Sequence, residues 1–217
     1  MPEPLDVVAE KKPTVDWFAL IGVLVTVVLH LILQFRKPNP IFITGACLFW
    51  AGFIVYRGIR DPGIFRCWGF RSDNLRQAAV IPFVLLLTGV LVLGAFALWN
   101  GQFLLSPWTA LLFVLYPVWG LFQQFLTLGI VVQSLERLPA WQNRPFLLTI
   151  TGSVVFGAIH FPDLWAVAAT FVLELVLAPV FLRYRNLWPL GLVHGWLGIL
   201  FYTWGMGHDV IAENFGQ

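Results

Sequence analysis

Apolar runs separated by short polar breaks occupy most of the chain, at residues 17–35, 40–56, 77–99, 106–135, 145–160, 164–182 and 187–204. A helix rising about 1.5 Å per residue needs some twenty apolar residues to cross a hydrocarbon core about 30 Å thick. Most of these runs approach that length. The run at 145–160 is short for a span. The run at 106–135 is long: as a helix it reaches about 45 Å, so it must tilt, kink near Pro117 or emerge well past the membrane surface. The pattern predicts an all-α fold, a polytopic membrane helix bundle of about seven transmembrane helices over residues 17–205. Residues 1–16, MPEPLDVVAEKKPTVD, read as a cytoplasmic tail, polar and punctuated by proline. Residues 206–217 form a polar C-terminal tail. The first apolar run has no small-residue cleavage site, so it reads as a retained span rather than a removed signal peptide.

Composition points the same way. The 217 residues are 59% hydrophobic and 11% charged, with a mean hydropathy of +0.82, more apolar surface than a soluble domain of this length can bury. Seven spans place successive loops on alternate sides. Eleven of the thirteen basic residues then share one side: Lys11, Lys12, Arg57, Arg60, Arg66, Arg71, Arg76, Arg137, Arg144, Arg183 and Arg185. Arg36 and Lys37 fall on the other. The positive-inside rule orients the N-terminus to the cytoplasm. Compact loops and the tail point to the plasma membrane of a bacterium, its inner membrane. No basic cluster interleaves with aromatics on a polar face, so nucleic acid is not an expected partner. Membrane lipids are, together with a peptide or membrane-protein substrate or partner. Cys47 and Cys67 match no metal or disulfide spacing. Trp50, Trp99, Trp108, Trp188 and Trp204 fall near predicted span ends, where interfacial aromatics belong.

Polar side chains inside the predicted spans are few: His30, Gln123, Gln124, His160, Glu174 and His194. An ionisable or amide group at that depth is costly unless another group accepts and donates its hydrogen bonds. His30 reads as a structural histidine bonded to a backbone carbonyl. Phe156 and His160 are four apart, so the phenyl ring can pack under the imidazole. Gly191, Gly195 and Gly198 around His194 permit close approach of a neighbouring helix. Glu174, the only carboxylate within a span, serves either acid–base chemistry or packing specificity.

Taken in order, a paired-residue helix, Phe156-Gly-Ala-Ile-His160 and a histidine six residues after Trp188-Pro189 resemble the CAAX protease and bacteriocin-processing (CPBP, or Abi) family of intramembrane proteases. Its three signatures read E-E-x-x-x-R, F-x-x-x-H and H-x-x-x-N/D. The second is intact. The third keeps His194 but has Gly198 in place of Asn or Asp. The first aligns with Gln123-Gln124-Phe-Leu-Thr-Leu128-Gly129, with glutamines for both glutamates. The segments Trp68–Arg76 and Arg183–Leu190 also resemble the family, and the likeness covers about residues 65–205.

The resemblance implies a helix bundle with a cavity between spans, and an endopeptidase in which a glutamate activates water while histidines and an Asn orient it and stabilise the oxyanion. Gln123 and Gln124 cannot take a proton from water, and Gly198 offers no side-chain donor. Three readings follow. In the first, the protein is an intramembrane endopeptidase with an altered site, with His160, His194 and Glu174 as catalytic residues and Gln123, Gln124, Phe156 and Gly198 as motif-equivalent cavity positions. In the second, it is a non-catalytic family member, a membrane binding, immunity or chaperone protein. In the third, it is a component of a small polar-cavity transporter. No cofactor or metal is expected; a zinc ion on His160, His194 and Glu174 is the alternative, although no two of these share a helix at metal-binding spacing.

Overall fold

The computed structural model describes residues 15–33, 39–103 and 107–208. The tail residues 1–14 with Lys11 and Lys12, the pair Arg36 and Lys37, residues 209–217 and the Trp108 side chain lie outside the described residues. Every regular element described is helical. In chain order these are α1 (Trp17–Leu33), α2 (Pro40–Arg60), α3 (Ile64–Trp68), α4 (Leu75–Asn100), α5 (Pro107–Gln124), the π-helix π1 (Phe125–Val132), α6 (Gln133–Glu136), α7 (Pro145–Ala158), α8 (Leu164–Tyr184), α9 (Trp188–Leu200) and the π-helix π2 (Phe201–Gly205). The seven predicted apolar runs each correspond to a helix or continuous helical run, and the fold is all-α and polytopic.

Among the described residues, four helical stretches are long and apolar enough to cross a membrane: Pro40–Arg60, Leu75–Asn100, Thr109–Glu136 and Leu164–Tyr184. Trp17–Leu33 and Pro145–Ala158 are apolar but shorter. The long fourth run stays helical from Pro107 to Glu136 and widens to π spacing directly after Gln124. The outer faces carry large exposed apolar side chains such as Ile41, Val84, Leu91 and Trp99, as a lipid-facing surface requires.

Local chemistry sets the helix ends. Asn39 caps α2 through its side chain, with Pro40 at the first turn, and Asp163 caps α8 by accepting from the backbone N–H of Trp165 and Ala166, each satisfying donors that the helix leaves open. Asp16 accepts from Ala19 N–H at 3.1 Å and pairs with Arg57 at 2.6 Å, tying the start of α1 to the end of α2.

The same end of the bundle is cross-braced throughout. Leu187 N–H donates to the Gly69 carbonyl at 2.8 Å, Gln133 Nε2 to the Cys67 carbonyl at 2.5 Å, and Arg185 pairs with Glu136. Asn186 is fully buried. Its Nδ2 donates to the Arg71 carbonyl and to Asn74 Oδ1, each at 2.8 Å, and its Oδ1 accepts from Trp188 N–H at 3.1 Å. At the surface, hydrogen bonding from Arg71 holds the Asp73 carboxyl below the usual carboxylate range. These ties join the start of α1, the end of α2, the start of α4, α6, the end of α8 and the start of α9. The arginines of the described residues lie on these segments, on α3 and the loop from it to α4, or on the Arg144 turn, so the basic residues grouped on one side by the sequence share one end of the bundle.

Two tryptophans differ from expectation. Trp50 has no exposed surface; it sits against Gly22, and its indole N–H donates to Thr26 Oγ1 at 3.2 Å. α2 runs to Arg60, so Trp50 is at mid-helix and fills the α1–α2 crossing. Trp204 is 8% exposed and stacks on Phe103 at 4.7 Å. Trp99 and Trp188 are exposed, as anchors should be.

α5 and α9 touch backbone to backbone. A Cβ on Gly120 would lie 2.5 Å from the Gly191 carbonyl oxygen and from Gly195 N; one on Gly191 would lie 2.4 Å from Leu121 Cα, and one on Gly195 2.4 Å from Pro117 Cα. Small residues at such crossings let dispersion and backbone contacts form where lipid offers no hydrophobic drive. Gly195→Ala is expected to cost about 1–3 kcal/mol or more by overpacking, read as a lower midpoint of thermal unfolding in detergent. Gly52→Ala, with open space at its Cβ, is the control and leaves the midpoint unchanged or higher. Equal midpoints for the two variants would refute the close crossing.

Candidate functional site

Three polar residues meet at the centre of the bundle. Glu174 is at the middle of α8, Gln124 is the last residue of α5, and His194 is in the second turn of α9. Gln124 and Glu174 have no exposed surface and His194 has 4%. Gln124 Nε2 donates to Glu174 Oε2 at 2.8 Å and lies 3.3 Å from His194 Nδ1. A carboxamide nitrogen carries two hydrogens and no acceptor, so this arrangement makes Nδ1 the accepting nitrogen and leaves the ring proton on Nε2. Gln124 Oε1 and Glu174 Oε1 are buried with no hydrogen-bond partner.

The π1 segment begins at the next residue. Wide turns of this kind re-aim side chains and occur often at functional sites. Here Leu128, aligned with the signature arginine, is fully buried in the apolar core and not beside Glu174.

His160 reaches this centre from the opposite end. α7 is fourteen residues long, about 21 Å of helix, less than the hydrocarbon thickness, so the turn after Ala158 lies within the bundle. A short helix ends at depth, which brings His160 inside the bundle. The buried Phe156 ring lies edge-on to His160 at 5.3 Å and to His194 at 4.9 Å, so one phenyl group separates the two imidazoles. His160 Nδ1 bonds the Phe156 carbonyl at 2.9 Å, which places the proton on Nδ1 and leaves Nε2 as an acceptor. His30 Nε2 bonds the Ile159 carbonyl at 2.9 Å, the structural role expected of it.

These groups border a cavity of about 560 Å³ enclosed by α1, α4, α5, α8, α9, π2 and the turn after α7. Gln123, His160, His194 and Gly198 line it, as do His30, Tyr116, Thr170 and Tyr202. Gln124, Glu174 and Phe156 stand behind the wall. Among the described residues, no Asp, Glu, Lys or Arg lines it. Sequence reading missed Tyr116, Thr170 and Tyr202; the available signal was a phenol or hydroxyl inside an apolar run, where the polar atom needs a partner. Gly198 sits 3.3 Å, measured from its would-be Cβ, from the Tyr116 ring.

Among the described residues no three His, Cys, Asp or Glu side chains are arranged to hold a metal ion. In the trio considered for zinc, the Gln124 amide occupies both Glu174 Oε2 and His194 Nδ1, so those donor atoms are already engaged.

The architecture and site define a polytopic membrane protein with an uncharged polar cavity at the meeting of α5, α8 and α9. Residues 105–200 match the family model described as type II CAAX prenyl endopeptidase Rce1-like. The match bears out the resemblance to the CAAX protease and bacteriocin-processing family over that segment, which is under half of the chain, and the long apolar helices mark the protein as a membrane protein. Comparison with curated proteins and with solved structures returned no significant match.

Removing one partner of a buried hydrogen bond costs more than removing both. Gln124→Leu is expected to destabilise by about 1–3 kcal/mol, because Glu174 Oε2 loses its donor. Adding Glu174→Leu should recover part of that loss, read as a higher unfolding midpoint for the double variant than for Gln124→Leu. A double variant less stable than either single change would show that the pair is not coupled.

Proposed function

We propose that the protein is a CAAX-protease-family member that binds a peptide or membrane-protein segment in its cavity without carboxylate-driven hydrolysis. The observation supporting this reading is the absence of a carboxylate from the cavity lining, with the one nearby carboxylate, Glu174, held behind Gln124. A general base must come within hydrogen-bond reach of the water it deprotonates. Gln123, which does line the cavity, has no proton-accepting group of useful basicity. The basic end of the bundle is taken as cytoplasmic by the positive-inside rule, in a bacterial inner membrane. The cavity then faces away from that end.

A second reading is favoured by one observation, the free acceptor on His160. With Nδ1 bonded to the Phe156 carbonyl, Nε2 is available as a base, and His194 Nε2–H could stabilise developing negative charge. This is hydrolysis without a glutamate, in which Glu174 acts only as a positioning residue through Gln124.

The purified protein in proteoliposomes, given a quenched hydrophobic peptide, is expected to bind it saturably and to release no fluorophore above protein-free vesicles. Turnover lost in His160→Gln but kept in Glu174→Gln would establish the histidine-based reading instead. Turnover lost in Glu174→Gln with the fold intact would establish a carboxylate base and overturn both.

A further inference from the structure

The cavity combines hydrogen-bonding groups with no Asp, Glu, Lys or Arg among the described residues of its walls, and this restricts what it can hold. Its lining pairs apolar residues such as Leu85, Leu173 and Leu197 with neutral polar groups. The two imidazoles are complementary. His160 presents an acceptor, since its Nδ1 is spent on the Phe156 carbonyl. His194 presents a donor, since its Nδ1 accepts from Gln124. Asp163, the carboxylate nearest in sequence to His160, has Oδ1 committed to the N–H groups of Trp165 and Ala166. A carboxylate would enter with no cation among the described lining residues and lose its hydration, a large cost at low dielectric. A peptide unit needs one acceptor for its N–H and one donor for its carbonyl, and carries no charge.

We infer that this cavity takes the interior of an apolar polypeptide through an uncharged backbone amide, and rejects a chain terminus bearing a free carboxylate. The inference rests on the binding reading above and adds the class of ligand.

The test compares two peptides of one apolar, uncharged sequence, both N-acetylated, one ending in a carboxamide and the other in a free carboxylate. Binding to the full chain in nanodiscs at neutral pH is measured against protein-free nanodiscs, so that each peptide's own partitioning is subtracted. The amide is expected to bind at least tenfold more tightly. Equal affinity, or tighter binding of the acid, overturns the inference and leaves the binding reading standing. Binding of neither above the protein-free discs overturns the binding reading and the inference with it. Thr170→Lys, which sets a cation in the wall, is expected to raise affinity for the acid and narrow the gap. If the folded variant leaves the acid's affinity unchanged, wall charge does not set the preference and the inference fails. Should the variant not fold, the wild-type comparison decides alone.

Discussion

Where α5 crosses α9, Gly120 meets Gly191 and Gly195 with no side chain between the two backbones. This contact sets the separation of the helices that carry Gln124 and His194. One turn past Gly120, the Gln124 amide then falls within reach of His194 on one side and of Glu174 from α8 on the other. Side chains at the crossing would push α5 outward, and the amide would bridge neither partner. The site is therefore a consequence of backbone proximity before it is one of side-chain chemistry.

Inside a membrane, each polar group has to be answered by another group of the protein. The bundle answers them locally. His30 and His160 each spend one ring nitrogen on a carbonyl of the α7 end, and Trp50 donates to Thr26. Among the described residues, the fully buried side-chain atoms left without a hydrogen-bond partner are Gln124 Oε1 and Glu174 Oε1, and they belong to the same pair of residues. The bond between Gln124 and Glu174, buried behind the cavity wall, serves helix placement. It also fixes the orientation of His194, whose remaining N–H is then available to a ligand. The Gln124 amide ties α5 to α8 and α9 and passes an orientation to the His194 imidazole.

Much of the architecture was legible because lipid imposes a simple rule, that a spanning segment be apolar and helical. The runs around α4, α8 and α9 follow that rule closely, and the arginines marked which ends lie together. The F-x-x-x-H pair was legible as well, because residues four apart on a helix share a face. Other features were not. Trp50 near the end of a predicted span looked like an anchor, yet burial depends on what α1 presents to it. The approach of His160 and His194 to one phenyl ring follows from the shortness of α7, which no motif spacing records. Tyr116, Thr170 and Tyr202 carry no spacing that marks them, since they come together from three different elements.

Sequence alone thus determined the helical class, the number of the apolar runs, and the presence of two adjacent glutamines inside one of them. Each is a property of composition and local periodicity, and local rules suffice for it. Tertiary structure alone decided that Gln123 borders the cavity while Gln124 turns inward to Glu174, that Phe156 separates two imidazoles, and that no charged group lines the cavity. Adjacent residues on a helix point about 100° apart, so which of the pair meets ligand and which meets protein depends on how α5 is rotated against α8 and α9. That rotation is set by the glycine crossing, a contact between residues some seventy positions apart, which no local pattern encodes.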